Sequence, residues 1–172
     1  MELLVPGLLL VALMVYASTR IKKKAAQALE EEVVQGDGFT IIKPEGLISL
    51  AYPENGLLFS AHTRDFGTGS ASEVRHCRAS VTLHRGVRLA EIRNKAVREK
   101  DLNITDDMTA EGAASFTGDR VITDKDGVRI KEFVKMVEGA DGVFELRAAV
   151  IAEIEDDYLD MIRVLLRSLR AD

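Results

Sequence analysis

Hydrophobic and polar positions divide the chain into one long uncharged stretch and a series of short alternating ones. Residues 3–19, LLVPGLLLVALMVYAST, carry no formal charge and are followed at once by Arg20, Lys22, Lys23 and Lys24. Pro6 and Gly7 do not spoil a helix here, since Pro6 falls in the first turn, where its missing N–H would lack a helical partner in any case. Seventeen residues at about 1.5 Å rise reach roughly 25 Å, near the lower limit for a hydrocarbon core of about 30 Å, and lysine stems extend that reach by snorkelling. The pattern predicts a single-pass transmembrane anchor at 1–24, with Leu3, Leu8, Leu9 and Val15 in the lipid and the four basic residues as a collar. Val15-Tyr16-Ala17 offers small residues for a signal-peptide cut, but the charges are reversed: the basic cluster follows the apolar run instead of preceding it, so the anchor is expected to stay uncleaved.

Residues 25–34, AAQALEEEVV, are mostly good helix formers, so residues 25–37 read as a helical stalk broken by Gly36-Asp37-Gly38. The remaining segment, residues 38–172, is long enough for one domain with its own core. Short strands are expected at 39–43, 47–52 and 57–63, each stopped by turn residues. In residues 74–84, Cys77, Ala79, Val81 and Leu83 alternate with His76, Arg78, Ser80, Thr82 and His84, which predicts a strand with the first set in the core. Residues 88–102 have helical composition, and 103–115 are polar and irregular. Strands at 116–123, 128–137 and 143–154 then form a meander, with Phe144, Leu146, Ala148 and Val150 on its buried face. A closing helix capped by Asp156 or Asp157 presents Tyr158, Leu159, Ile162, Leu165, Leu166 and Leu169 to the sheet. The expected fold class is α+β: an antiparallel sheet flanked by helices, preceded by one transmembrane helix.

Phe39 to Gly46 (FTIIKPEG), the hairpin at 127–151 with Gly139 and Gly142 at its turn, and the closing helix at 158–169 together resemble the PsbP-like domain family. That family includes extrinsic photosystem II proteins, a Ran-binding release factor and bacterial envelope proteins. The resemblance implies an α/β/α sandwich used mostly for docking on larger assemblies, without a conserved catalytic centre, and it transfers no diagnostic site.

Charge sharpens the picture. From residue 25 onward there are 19 basic and 27 acidic side chains, so anionic lipid and nucleic acid are poor main partners for the domain. Residues 62–100 hold nine bases against four acids, whereas 101–160 hold six bases against sixteen acids. Either the two segments neutralise each other within the fold or they form a polarised docking surface. Arg75, Arg78, Arg85 and Arg88 are the candidate docking residues.

No catalytic, cofactor or metal site is expected. His76 and Cys77 fall on opposite strand faces, and His76 and His84 stand about 26 Å apart at strand rise. Cys77 on a core face is inert as a nucleophile. Gly67-Thr68-Gly69-Ser70 lacks phosphate-loop spacing and reads as a loop. The function expected from the sequence is therefore a non-enzymatic accessory or assembly subunit. It would be anchored in the bilayer through residues 3–19 and dock on a larger membrane protein complex, photosynthetic or respiratory, without nucleic acid. Its domain would face the cytoplasm, because the basic collar lies on that side, with a periplasmic or lumenal placement as the alternative. A membrane-tethered module for a small ligand or lipid, and an unrecognised enzyme, are the rival readings.

Overall fold

The computed structural model describes residues 4–54, 56–99, 101–110 and 113–172, without the side chains at 4–8, 10, 108–110 and 113. In chain order the elements are α1 (Leu4–Leu29), β1 (Glu32–Gly36), β2 (Phe39–Lys43), β3 (Leu47–Ser49), β4 (Leu57–Thr63), β5 (Cys77–Arg85), α2 (Leu89–Glu99), β6 (Asn103–Ala110), β7 (Ala113–Thr123), β8 (Arg129–Gly139), β9 (Gly142–Ile151), α3 (Glu155–Ser168) and β10 (Arg170–Ala171). Single 3-10 turns occupy Gly69–Ala71 and Ala152–Ile154.

Seven strands form one antiparallel sheet in the order β3-β4-β5-β9-β8-β7-β6, and β1-β2-β10 form a smaller one. The connection through α2 carries the chain from β5 to the far edge at β6. Alternation fixes which side chains meet. Cys77, Ala79 and Val81 of β5 and Phe144, Leu146, Ala148 and Val150 of β9 point to one side of the large sheet. There they pack with Phe39 and Ile41 of β2 and with Ile162 and Leu165 of α3. On the opposite side Phe116, Val134, Met136 and Val143 pack with Leu89 of α2. The result is the expected layered α+β architecture. β9 differs from a one-sided strand, because Val143, Glu145, Ala149 and Ile151 on its second face are buried as well.

Several local expectations are corrected. Residues 25–37 are helix only as far as Leu29, and Glu32–Gly36 is a strand in full register with β2. Asp37-Gly38 is the two-residue loop of that hairpin, with Gly38 at φ +77°, and not a break between domains. Gly36 is required for a different reason: a Cβ there would stand 1.9 Å from the Phe39 ring. Residues 103–110, expected to be irregular, form edge strand β6 paired with β7. Its sequence has little strand propensity, so its order comes from pairing, and the acids Asp106 and Asp107 suit an edge that must not recruit further strands. α3 begins without a side-chain cap. Glu155, Asp156 and Asp157 instead place negative charge in its first turn, where it complements the helix dipole.

Cys77 is fully buried, and burial pushes its thiol up to about 12. The native protein should therefore resist thiol reagents at neutral pH and react with one equivalent once unfolded. Rapid labelling of the native fold would contradict this placement.

Candidate functional site: an exposed apolar helix and a charged sheet face

α1 is the first feature that needs a function. Leu9, Val11, Leu13, Met14, Val15, Tyr16 and Ile21 are each at least 60% exposed, and their positions run around the whole helix. A helix that is apolar all round, with no protein against it, lacks the partner its composition demands. The expected membrane crossing does not follow from the structure, however. Among the described residues no helix is long and apolar enough to cross a membrane. The described helix does not stop at the end of its uncharged part but continues unbroken through Arg20 and Lys22 to Lys24. Leu3 and the side chain of Leu8 lie outside the described residues.

The lower end of α1 is locked to the domain by Lys43. This side chain is 1% exposed, and its ammonium donates to the carbonyls of Ala28 (3.0 Å), Glu30 (2.5 Å) and Leu47 (3.1 Å). The Gly46 N–H donates to the Leu29 carbonyl at 2.8 Å. A helix leaves its last carbonyls without intrahelical partners, and a cation there also meets the negative end of the dipole. Lys135 does the same for α3, donating to the Leu169 carbonyl at 3.2 Å. Burial, and then the nearby Arg170 charge, depress the Lys135 ammonium below its ordinary range, while Asp106 opposes them.

The second feature is the open face of the large sheet. Cross-strand register places Arg120 opposite Glu132, Arg147 opposite Val134 and Ser80, and Glu145 opposite Met136 and Thr82. Arg120 donates to Glu132 at 2.7 Å, with the carboxylate buried. Glu145 receives Arg147 on one oxygen and lies 2.6 Å from His84 Nε2 on the other. Burial alone would raise the Glu145 carboxyl, but the Arg147 charge and the hydrogen bonds from Arg147 and His84 hold it below the usual range. Beside this ladder, α2 and the sheet enclose a groove of about 250 Å³, floored by Phe116, Val134 and Met136.

Of the predicted docking residues, only Arg78 joins this face. It is exposed on β5 beside Ser80. Arg85 lies seven residues along the same strand, on the opposite face by alternation, and Arg88 is exposed just before α2. Arg75 stacks its guanidinium 3.7 Å over the Phe66 ring and donates to the Arg64 carbonyl, which ties it into a loop. Arg120, Arg147, Glu132 and Glu145 were missed because register across four strands decides their meeting. The outward alternation of β7 to β9 was the available signal. The basic and acidic segments are interleaved in part: Arg93 pairs with Asp107 and His84 with Glu145.

The histidines have separate partners. His62 meets the Thr63 carbonyl, His76 the Tyr158 hydroxyl and His84 the Glu145 carboxylate. Among the described residues no three metal-ligating side chains converge.

No protein-family model matches the sequence, and no curated protein is similar to it in sequence. Solved structures are similar in fold. Cyanobacterial PsbP (CyanoP) from Synechocystis sp. PCC 6803 superimposes with a TM-score of 0.57 at 10% identity, over 84% of this chain and 93% of that one. LpqN of Mycobacterium tuberculosis, described as involved in cell envelope biogenesis, gives a TM-score of 0.57 at 14% identity, over 81% and 89% of the two chains. A protein from Bacteroides thetaiotaomicron VPI-5482 gives 0.55 at 12% identity over 84% of this chain, which spans about half (49%) of that larger protein. The fold is PsbP-like, and at these identities the likeness extends to the fold alone.

Glu145 gives a pH test. With its folded pKa below an unfolded value of about 4.3, its stabilisation is present above that pH and is lost as pH falls through the folded value. Glu145→Gln should therefore be less stable at neutral pH, and its urea midpoint should fall less on acidification than that of the wild type. Parallel acid limbs would show that the ladder contributes nothing to folding.

Proposed function

We propose that this protein is a non-enzymatic accessory subunit, held in a lipid bilayer by α1, whose PsbP-like domain docks on a larger membrane protein complex. The observation that carries the reading is the apolar circumference of α1, exposed at every described position from 11 to 16. Lipid is the occupant that can surround a helix on all sides, whereas a protein groove covers one face. The collar of Arg20, Lys22, Lys23 and Lys24 sits where cationic side chains meet anionic headgroups, which favours the cytoplasmic leaflet for the domain.

The domain then docks through its open sheet face. That face carries Arg78, Arg120 and Arg147 around buried Glu132 and Glu145, a fixed pattern of charge suited to setting register with a partner.

Fractionation tests the reading. The wild-type chain should stay with membranes through alkaline carbonate and enter solution only with detergent. Leu13→Lys combined with Val15→Lys should release it, since each charge costs about 2.5–3.5 kcal/mol at depth. Arg78→Glu should leave the fold and membrane retention intact while weakening co-purification of the complex. A wild-type chain recovered as a detergent-free monomer would overturn the lipid reading. One that runs alone after every mild extraction would overturn the docking.

A further inference from the structure

A second cavity lies away from α1 and from the charged ladder. It has a volume of about 420 Å³, within the roughly 300–1,000 Å³ of small-molecule sites. Four polar residues from three separate parts of the chain line it. Thr68 and Ser70 come from the loop before β5, His76 from the entry to β5, and Arg129 from the start of β8; Glu153 stands at the same wall. Val128, Ile151 and Ile154 supply an apolar floor.

The walls are fixed before any ligand arrives. Gly67 donates to the Val74 carbonyl at 2.9 Å and His76 to the Asp65 carbonyl at 3.0 Å, closing residues 65–76 into a narrow hairpin. A Cβ at Gly67 would stand 2.6 Å from the Ala71 side chain and 2.7 Å from Ile151, so the loop is pressed directly onto the core. The guanidinium of Arg75 over Phe66 braces its outer side. Opposite, the Asp124 carboxylate accepts from the N–H groups of Asp126 and Val128, both at 2.9 Å, which sets the turn that presents Arg129.

His76 is oriented in the same way. Its Nδ1 lies 2.9 Å from the Tyr158 hydroxyl, with the rings edge to face. Burial, then the negative charges around it, raise the Tyr158 hydroxyl above its ordinary range, so it stays protonated and can either donate to Nδ1 or accept from it. When the hydroxyl donates to Nδ1, the imidazole N–H lies on Nε2, and this is the tautomer the site below uses.

We propose that this cavity binds a small soluble oxyanion, a phosphate or carboxylate, through the Arg129 guanidinium, the His76 Nε2–H and the Thr68 and Ser70 hydroxyls. All four are hydrogen-bond donors, and a planar guanidinium matches an oxyanion with two parallel bonds. Glu153 adds an acceptor for a hydroxyl or ammonium group on the same molecule, and the apolar floor takes its carbon skeleton. The site does not depend on what α1 contacts.

The test uses the full chain in phosphate-free maltoside micelles, with amide resonances followed by NMR as sodium phosphate or sodium acetate replaces chloride at constant ionic strength. Saturable shifts should appear at residues 67–71, 76 and 127–129. Arg129→Gln should weaken the response about tenfold, the loss of one charge-assisted contact. Ser70→Ala should weaken it less, and Lys125→Gln, on the adjacent turn but outside the cavity, should leave it within about twofold. A dispersed spectrum for each variant reports folding independently of binding. Absence of saturable shifts with either anion, or equal weakening by Lys125→Gln and Arg129→Gln, would overturn the site. Shifts produced only by phosphatidylglycerol bilayers would overturn the soluble ligand in favour of a lipid headgroup.

Discussion

A buried ammonium group governs the relation between the two parts of this molecule. Lys43 ends β2 in a space where its charge is almost wholly removed from water. Such a burial costs several kcal/mol unless the charge is matched, and here three carbonyls match it while the Glu32 carboxylate stands 4.0 Å away. Those carbonyls belong to the end of α1, the residue after it, and β3. One side chain thus satisfies a helix terminus, turns the chain into β1 and fastens both to the sheet. The apolar helix is thereby coupled directly to the layered domain, and any surface that α1 meets fixes how the domain is presented.

The same economy appears in the sheet. Glu132 and Glu145 point to the side covered only in part by α2, and their arginine neighbours shield them. Charge on this face is consumed in pairs, which makes it stiff and patterned rather than strongly basic. The loop before β5 has the opposite character. Its Thr68, Ser70 and His76 line a cavity apart from that face. A docking face and a ligand cavity can therefore occupy different parts of one domain without sharing residues.

Much of the layered fold was legible in alternation. Cys77, Ala79 and Val81, and Phe144 to Val150 at every second position, lie where period-two reasoning places them, because burial on one face leaves no other register. The closing helix was legible for the same reason at a period of 3.6. What escaped was order imposed from outside the segment. β6 exists because β7 pairs with it, and β1 because β2 does, although the composition of 25–34 favours helix. The Asp37-Gly38 signal was present but was read as a break, since the strand before it was not recognised. Among site residues, Arg78 was placed on its correct face. Arg120, Glu132, Glu145 and Arg147 could not be brought together without the cross-strand register, and nothing local in β2 marks Lys43 as a helix cap.

The central claim, that Lys43 makes α1 and the domain one body, is open to a direct measurement. Spin labels at Tyr16 and Val121, both exposed, placed in the full chain in lipid nanodiscs, would report the distance between helix and sheet by pulsed electron paramagnetic resonance. The wild type should give a single narrow distribution, and Lys43→Met, which removes the ammonium while keeping much of the volume, should broaden it with the domain still folded. An equally broad distribution in the wild type, or a narrow one unchanged by Lys43→Met, would contradict the account.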